Sequence, residues 1–289
     1  MKWIPSLLGL SLLAAMAQED GTRQLWNTEF LKNRPAGTNP ATAPKVRYKP
    51  VAEGTKTGSP SAPVGSGTML GVTLWRMRAP KTSDEPGTRL LVLGAGDQSR
   101  EQTPERIDAA TPLANGDKVR LTVEVPATGY LYVVDRERYA DGKMSDPYLI
   151  YPNWQTRAGD NVVAPGRLLE IPDRRDNPNV FLIRPQRQDQ VAEVLSLLVS
   201  PQPLTGFTIT HETLPPKLDA ALYAAWEKKW AVKAERFEME GGAGKAVTPK
   251  ENQAGTTLTQ DDPLPQTLYR VGVKPGSPVL LEIPLEIKR

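Results

Sequence analysis

Apolar and polar residues alternate one for one over Val119–Val125, where Arg120, Thr122 and Glu124 separate Val119, Leu121, Val123 and Val125. A period of two predicts a strand with one buried face. Pro126-Ala127-Thr128-Gly129 interrupts the pattern, and Tyr130–Val134 resumes it with aromatic and β-branched residues suited to a pleated surface. The spacing predicts a hairpin with Val125 opposite Tyr130, Val123 opposite Tyr132 and Leu121 opposite Val134. That register sets Arg120 against Asp135 as a cross-strand ion pair.

Short apolar runs bounded by Gly, Pro, Asn and Asp continue in both directions. Met69–Arg78, Arg89–Leu93, Tyr148–Tyr151, Asn161–Val163, Arg167–Ile171, Val180–Ile183 and Gly206–Thr210 all read as strands. Val191–Val199 is apolar on both faces and predicts a central strand. Gln266–Val273 and Pro278–Lys288 complete the set, and Pro284, which has no backbone donor, marks the last as an edge strand. Many short strands at turn-bounded intervals predict a mainly β chain, an antiparallel β-sandwich.

One stretch has a different period. Over Pro215–Glu238, Leu218, Leu222, Trp226 and Trp230 recur every four residues, which predicts one long amphipathic α-helix capped by Thr213 and stopped by Gly241-Gly242. Its tryptophans are expected to pack on the outer face of a sheet, with Leu131 and Val133 receiving them. Stacking of a sugar on the Trp226–Trp230 pair is the competing expectation.

The ends and gaps of this pattern define the organisation. Met1–Ala17 has a lysine, a short apolar run and the small-x-small site Ala15-Met16-Ala17, which together predict a signal peptide cleaved before Gln18. The run is too short to span a bilayer, and no transmembrane segment is expected after cleavage. The protein is therefore expected to be exported, to the periplasm or the exterior. Residues 18–67 form a flexible N-terminal arm in this reading, because Pro35–Gly67 is rich in proline and glycine and poor in apolar periodicity. Lys45–Val51 is the one piece of it suited to docking as an extended strand. Residues 68–289 are expected to be a single domain, with a second loosely held stretch at Gly241–Pro265.

Composition removes several kinds of chemistry. The 289 residues contain no cysteine and one histidine, His211. Disulfides, thiol catalysis, Cys-ligated zinc and any site needing two histidines are excluded. The net charge of +3 is small and its basic residues are dispersed, so no nucleic-acid partner is expected. Gly94-Ala95-Gly96 is followed by neither Gly-Lys-Ser/Thr nor a G-x-G-x-x-G pattern, and it reads as a turn. Asp141-Gly142 fits only a fragment of a calcium loop and reads as a hairpin turn. No catalytic residue, cofactor or metal is expected. Arg136, Arg138, Tyr139, Asp141 and Asp146, in the loop expected at Arg136–Pro147, form the candidate interaction surface.

The segments GDKVRLTVEV, GYLYVVD, LIYPN, GDNVVAPGRLLEIP and VLSLLVS followed by Pro203-Leu204 resemble a bacterial domain of unknown function, the one numbered forty-three eighty-four. The resemblance covers roughly Leu113–Leu204. It implies an exported or envelope-associated setting and brings no catalytic residues. The functional expectation is a non-catalytic exported module for binding or envelope assembly, its partner an unidentified envelope protein or polysaccharide. Strand addition at the Pro284 edge is one mode it could use. The alternative is an envelope polysaccharide hydrolase with paired carboxylates, drawn from Asp135, Asp141, Asp146 and Asp160.

Overall fold

The computed structural model describes residues 31, 34–37, 46–51, 68–93, 99–209, 214–253 and 257–288. The expected signal peptide, most of the expected arm, the Gly94–Gly96 turn, Thr213 and His211 lie outside the described residues. The described residues are mainly β, with two antiparallel sheets and one α-helix among them.

The larger sheet contains nine strands. Its main path runs β1 (Tyr48–Val51), β12 (Ala234–Met239), β13 (Thr267–Val271), β2 (Thr68–Arg78), β4 (Arg100–Ile107), β3 (Leu90–Val92). β5 (Lys118–Glu124) lies on the other edge of β2 and carries β9 (Leu169–Ile171) and β10 (Phe181–Leu182). The smaller sheet runs β14 (Val279–Glu286), β11 (Gln190–Ser200), β6 (Gly129–Tyr139), β7 (Tyr148–Tyr151), with β8 (Val162–Val163) also on β6. β11 is central and β14 ends the path, as the apolar run and Pro284 predicted.

The predicted hairpin does not form. β5 pairs with β2, Val123 opposite Val72, while β6 pairs with β11, Val133 opposite Leu197. Residues 125–128 instead carry the chain from one sheet to the other. Leu121 and Val123 now share one apolar core with Leu131, Val133, Leu195, Leu197, Leu281 and Ile283. The crossing satisfies both strands with longer partners and leaves Tyr132 and Val134 on the opposite face of β6. Gly129 is needed at the landing point, because a Cβ there would sit 2.7 Å from the Ser200 carbonyl oxygen.

That opposite face is where the helix docks. Tyr132, Val134, Leu149, Leu198 and Leu280 form a second cluster with Leu218, Tyr223 and Trp226. The expectation of an outer-face helix stands, but its receiving residues are Tyr132 and Val134, not Leu131 and Val133. The hairpin register had assigned the two faces of β6 the wrong way round. Burial of Trp226 also removes it from any sugar-stacking role.

The helix, α1, covers only Ala220–Trp230. Pro215–Leu218 are extended, because Leu149 N–H donates to the Pro216 carbonyl and Leu218 N–H to that of Pro147. Asp219 caps the helix by accepting from Leu222 N–H at 2.8 Å. It ends where Val232 N–H turns to the Leu280 carbonyl, and Ala234–Met239 becomes β12. The long helix of the sequence reading is thus a short helix followed by a strand.

The polar residues of β5 are buried too: Arg120, Thr122 and Glu124 are at most 7 % exposed. Thr122 accepts from the Trp75 indole, Arg120 pairs with Glu170, and Glu124 pairs with Arg34. The cover over this face includes residues 241–253 and 257–265 of the stretch expected to be loosely held. Val247 N–H donates to the Pro104 carbonyl, Glu251 pairs with Arg106, and Leu258 and Leu264 are buried. Two pieces of the expected arm are also fixed: Arg34 is buried, and β1 pairs with β12. Gly206–Ile209 forms no strand; Phe207 packs edge-on against Tyr132 and Trp226.

Candidate functional site

The five residues of the candidate surface are separated by the pleat of β6. Arg136–Tyr139 belong to the strand itself, so successive side chains leave opposite faces. Arg136 and Arg138 lie on the helix side. Arg136 donates to Glu227 at 3.1 Å and lies 5.2 Å over the Tyr223 ring; Arg138 donates to Glu286 at 2.5 Å. Tyr139 lies on the inner side, donating to Glu137 at 2.6 Å beneath the Arg187 guanidinium. Asp141 accepts from Lys143 Nζ at 2.7 Å in a tight turn that Gly142 closes with φ of 82°. Asp146 pairs with Lys217 at 2.5 Å. All five hold the protein's own structure together, and they do not converge.

The carboxylates proposed for hydrolysis are scattered likewise. Asp160 pairs with Arg157 at 2.5 Å, and Asp141 and Asp146 have their lysines. Only Asp135 faces inward without a cation. It belongs to a different group, with Glu137 on its own strand and Glu193 on β11. Glu137 and Glu193 are directly opposite in the ladder. Burial, then the Glu137 charge, pushes Asp135 up to about 7; burial, then the Asp135 charge, pushes Glu193 up to about 8.

A concave site lies at the other end of β6. Four segments meet there: the start of β2, the crossing at 125–128, the end of β11 and the 275–279 turn before β14. They enclose a crevice of about 280 Å³. Leu70, Val125, Pro126, Val199, Pro275 and Val279 give it apolar walls, and Thr68, Thr128, Ser200 and Ser277 add hydroxyls. Among the described residues, no ionisable side chain lines it. A charged group entering would lose its water without gaining a counter-charge from these residues, so the lining suits a neutral group better than a charged one. A dry cavity of about 150 Å³ is enough for benzene, so a short aliphatic chain or a one- to two-ring group is the right scale.

Three of the sheet edges are partly closed among the described residues. Leu113 and Val232 bond the two ends of β14, Asn179 bridges to the main chain on both sides of Val92, and residues 216–218 run along β7. Strand addition at the Pro284 edge has only the middle of β14 to work with. Among the described residues, no group of three or more acidic or histidine side chains is placed to hold a metal, and no helix is long and apolar enough to cross a membrane. No family model, curated protein or solved structure matches the chain.

Proposed function

We propose that the chain is an exported, non-catalytic β-sandwich module that binds an uncharged, mainly apolar group of an envelope component in the crevice at 125–128 and 275–279. The supporting observation is the separation of concavity from acid–base chemistry. The crevice touches Thr128, while Asp135 sits seven residues further along the same strand, about 20 Å away at the rise of an extended chain. A ligand held in the crevice is out of reach of the raised carboxylates. The export signal and the resemblance to an envelope domain supply the setting. The hydroxyls at the rim suit a carbonyl or hydroxyl on the ligand's polar end.

The test uses the neutral fluorescent probe N-phenyl-1-naphthylamine. The mature chain should bind it saturably, and Ala127→Trp or Ser277→Phe, which fill the crevice, should weaken binding at least about tenfold, the equivalent of 1.4 kcal/mol. Glu193→Gln should leave it unchanged. Binding that ignores both occluding changes refutes the crevice as the site. Release of reducing ends from envelope polysaccharide, lost on Glu193→Gln, would favour the hydrolase reading instead.

A further inference from the structure

The inner face of β6 runs Leu131, Val133, Asp135, Glu137, Tyr139, passing from core to acid within a few residues. β11 does the same in reverse, from Leu197 and Leu195 to Glu193. Like charges directly opposite in a ladder destabilise it, and here Glu137 opposes Glu193. The donors that reach this group are neutral: Tyr139 hydroxyl to Glu137 at 2.6 Å, and Gln190 Nε2 to Glu193 at 2.7 Å. Asp135 as a whole is only half-buried, yet its Oδ1 and the Glu193 Oε2 are both shut off from solvent. Neither oxygen has a hydrogen-bond partner among the described residues.

Among the described residues, the neighbouring strands β7 and β14 bring no cation to them. Leu285 of β14 stands opposite Glu193, and Tyr148 of β7 opposite Asp135. Arg187 lies over Tyr139 and pairs with Asp189, and Arg136 and Arg138 project to the helix side. The Glu137 charge bears on Asp135, and the charges of Asp135 and Glu137 bear on Glu193. The ladder is also irregular here, with a register shift between Gln190 and Ala192.

We propose that this end of the two sheets is a proton-operated latch, in which a proton on Asp135 or Glu193 holds β6 against the start of β11 and loss of both protons loosens that pairing. A proton on either carboxyl turns an acceptor into a donor and removes one of two like charges. When the last proton leaves to solvent, two carboxylates lie on a diagonal of the ladder, with Glu137 opposite Glu193 and two residues along from Asp135. The sign follows from linkage. Both groups bind protons more tightly in the folded chain than their ordinary carboxylate values allow in the unfolded one. Their contribution to stability is therefore complete near pH 4 and is lost as pH rises through about 7 to 8. The latch is separate from the crevice, so its failure leaves the binding reading untouched.

Thermal unfolding and amide hydrogen exchange of the whole chain at pH 5 and pH 8.5 test it, with Asp135→Asn/Glu193→Gln as the comparison. Glu238, another buried carboxyl, also titrates in this range, so the difference between the two proteins is the informative quantity. From pH 5 to 8.5 the wild-type midpoint should fall at least about 4 °C further than the variant's. Exchange over 186–195, corrected for the intrinsic effect of pH, should accelerate at least about tenfold in the wild type only. Equal pH slopes overturn the proposal, and so does a slope difference without faster exchange over 186–195. If the double variant does not fold, Glu137→Gln serves: removing that charge should flatten the wild-type slope, and an unchanged slope is equally fatal.

Discussion

Arg34→Met should destabilise the protein by about 3–5 kcal/mol at neutral pH, the usual cost of removing one partner from a buried ion pair. Arg34 and Glu124 are both almost wholly shielded from solvent. Two guanidinium nitrogens meet the two carboxylate oxygens at 2.7 and 2.8 Å, and a third donates to the carbonyls of Thr259 and Asp262. Without the arginine, Glu124 stays buried without its paired cation, the Asp262 carbonyl loses the Arg34 donor, and the Thr259 carbonyl keeps the Asp262 N–H. Burial already raises the affinity of Glu124 for its proton despite the adjacent arginine. In the variant the acid should therefore take up a proton on folding, and the loss should be smaller at pH 5 than at pH 7. Arg34→Met/Glu124→Met should recover most of the stability, because the pair's desolvation cost disappears with it. Urea unfolding followed by tryptophan fluorescence reads all three. A loss under about 1 kcal/mol for the single change would show that Arg34 is not holding the cover in place.

Where the strands lie was legible wherever the buried pattern is local. β2, β7, β11 and β14 follow from apolar runs that have one reading. β4, the sequence REQTPERI, has no such run: its strand character comes from pairing with β2, β3 and residues 244–247. β12 was hidden for a different reason. Ala234–Met239 continues the helical spacing of Trp226 and Trp230, yet Phe237 and Met239 also alternate with Arg236, Glu238 and Glu240. Pairing with β1 and β13 selects the second pattern. Pairing between the central strands could not be read at all. Alternation fixes which residues share a face, but a four-residue connection serves either a hairpin or a crossing between sheets. The choice depends on β2 and β11, which are remote in sequence.

The sites follow the same division. The crevice is assembled from four separated segments, none with a distinctive composition, so no stretch of sequence could announce it. The acidic group was nearer to hand. Asp135, Glu137 and Tyr139 share the parity of Leu131 and Val133, and extending β6 beyond Val134 places them all on one face with those two residues. What the sequence lacked was β11 alongside, which brings Glu193 opposite Glu137. Arg120, Thr122 and Glu124 teach a related lesson. Polar alternation marked a face different from the core but not an exposed one, since Arg34, Trp75 and Glu170 supply each with a partner.

Trp226→Ala should lower stability by about 3–5 kcal/mol, the range for truncating a buried tryptophan. Only one short helix covers the outer face of the smaller sheet, and Trp226 is its largest buried side chain, 5 % exposed. Its ring lies 5.8 Å from Phe207, edge to face, and 6.5 Å from Tyr132, so the truncation also removes two aromatic contacts. The Tyr132 hydroxyl accepts from Leu204 N–H, so a collapse around the missing indole would disturb that bond as well. For a domain of this size the thermal midpoint should fall by about 6–20 °C. Lys228→Ala, on the exposed side of the same helix, should change stability by less than about 0.5 kcal/mol. A double-mutant cycle then identifies the face that receives the helix. Trp226→Ala and Val134→Ala share a cluster and should couple by at least about 0.5 kcal/mol, whereas Trp226→Ala and Val133→Ala, on opposite sides of the sheet, should add independently. Coupling to Val133 instead of Val134 would mean that the faces of β6 are reversed and that the helix packs where the hairpin register had placed it.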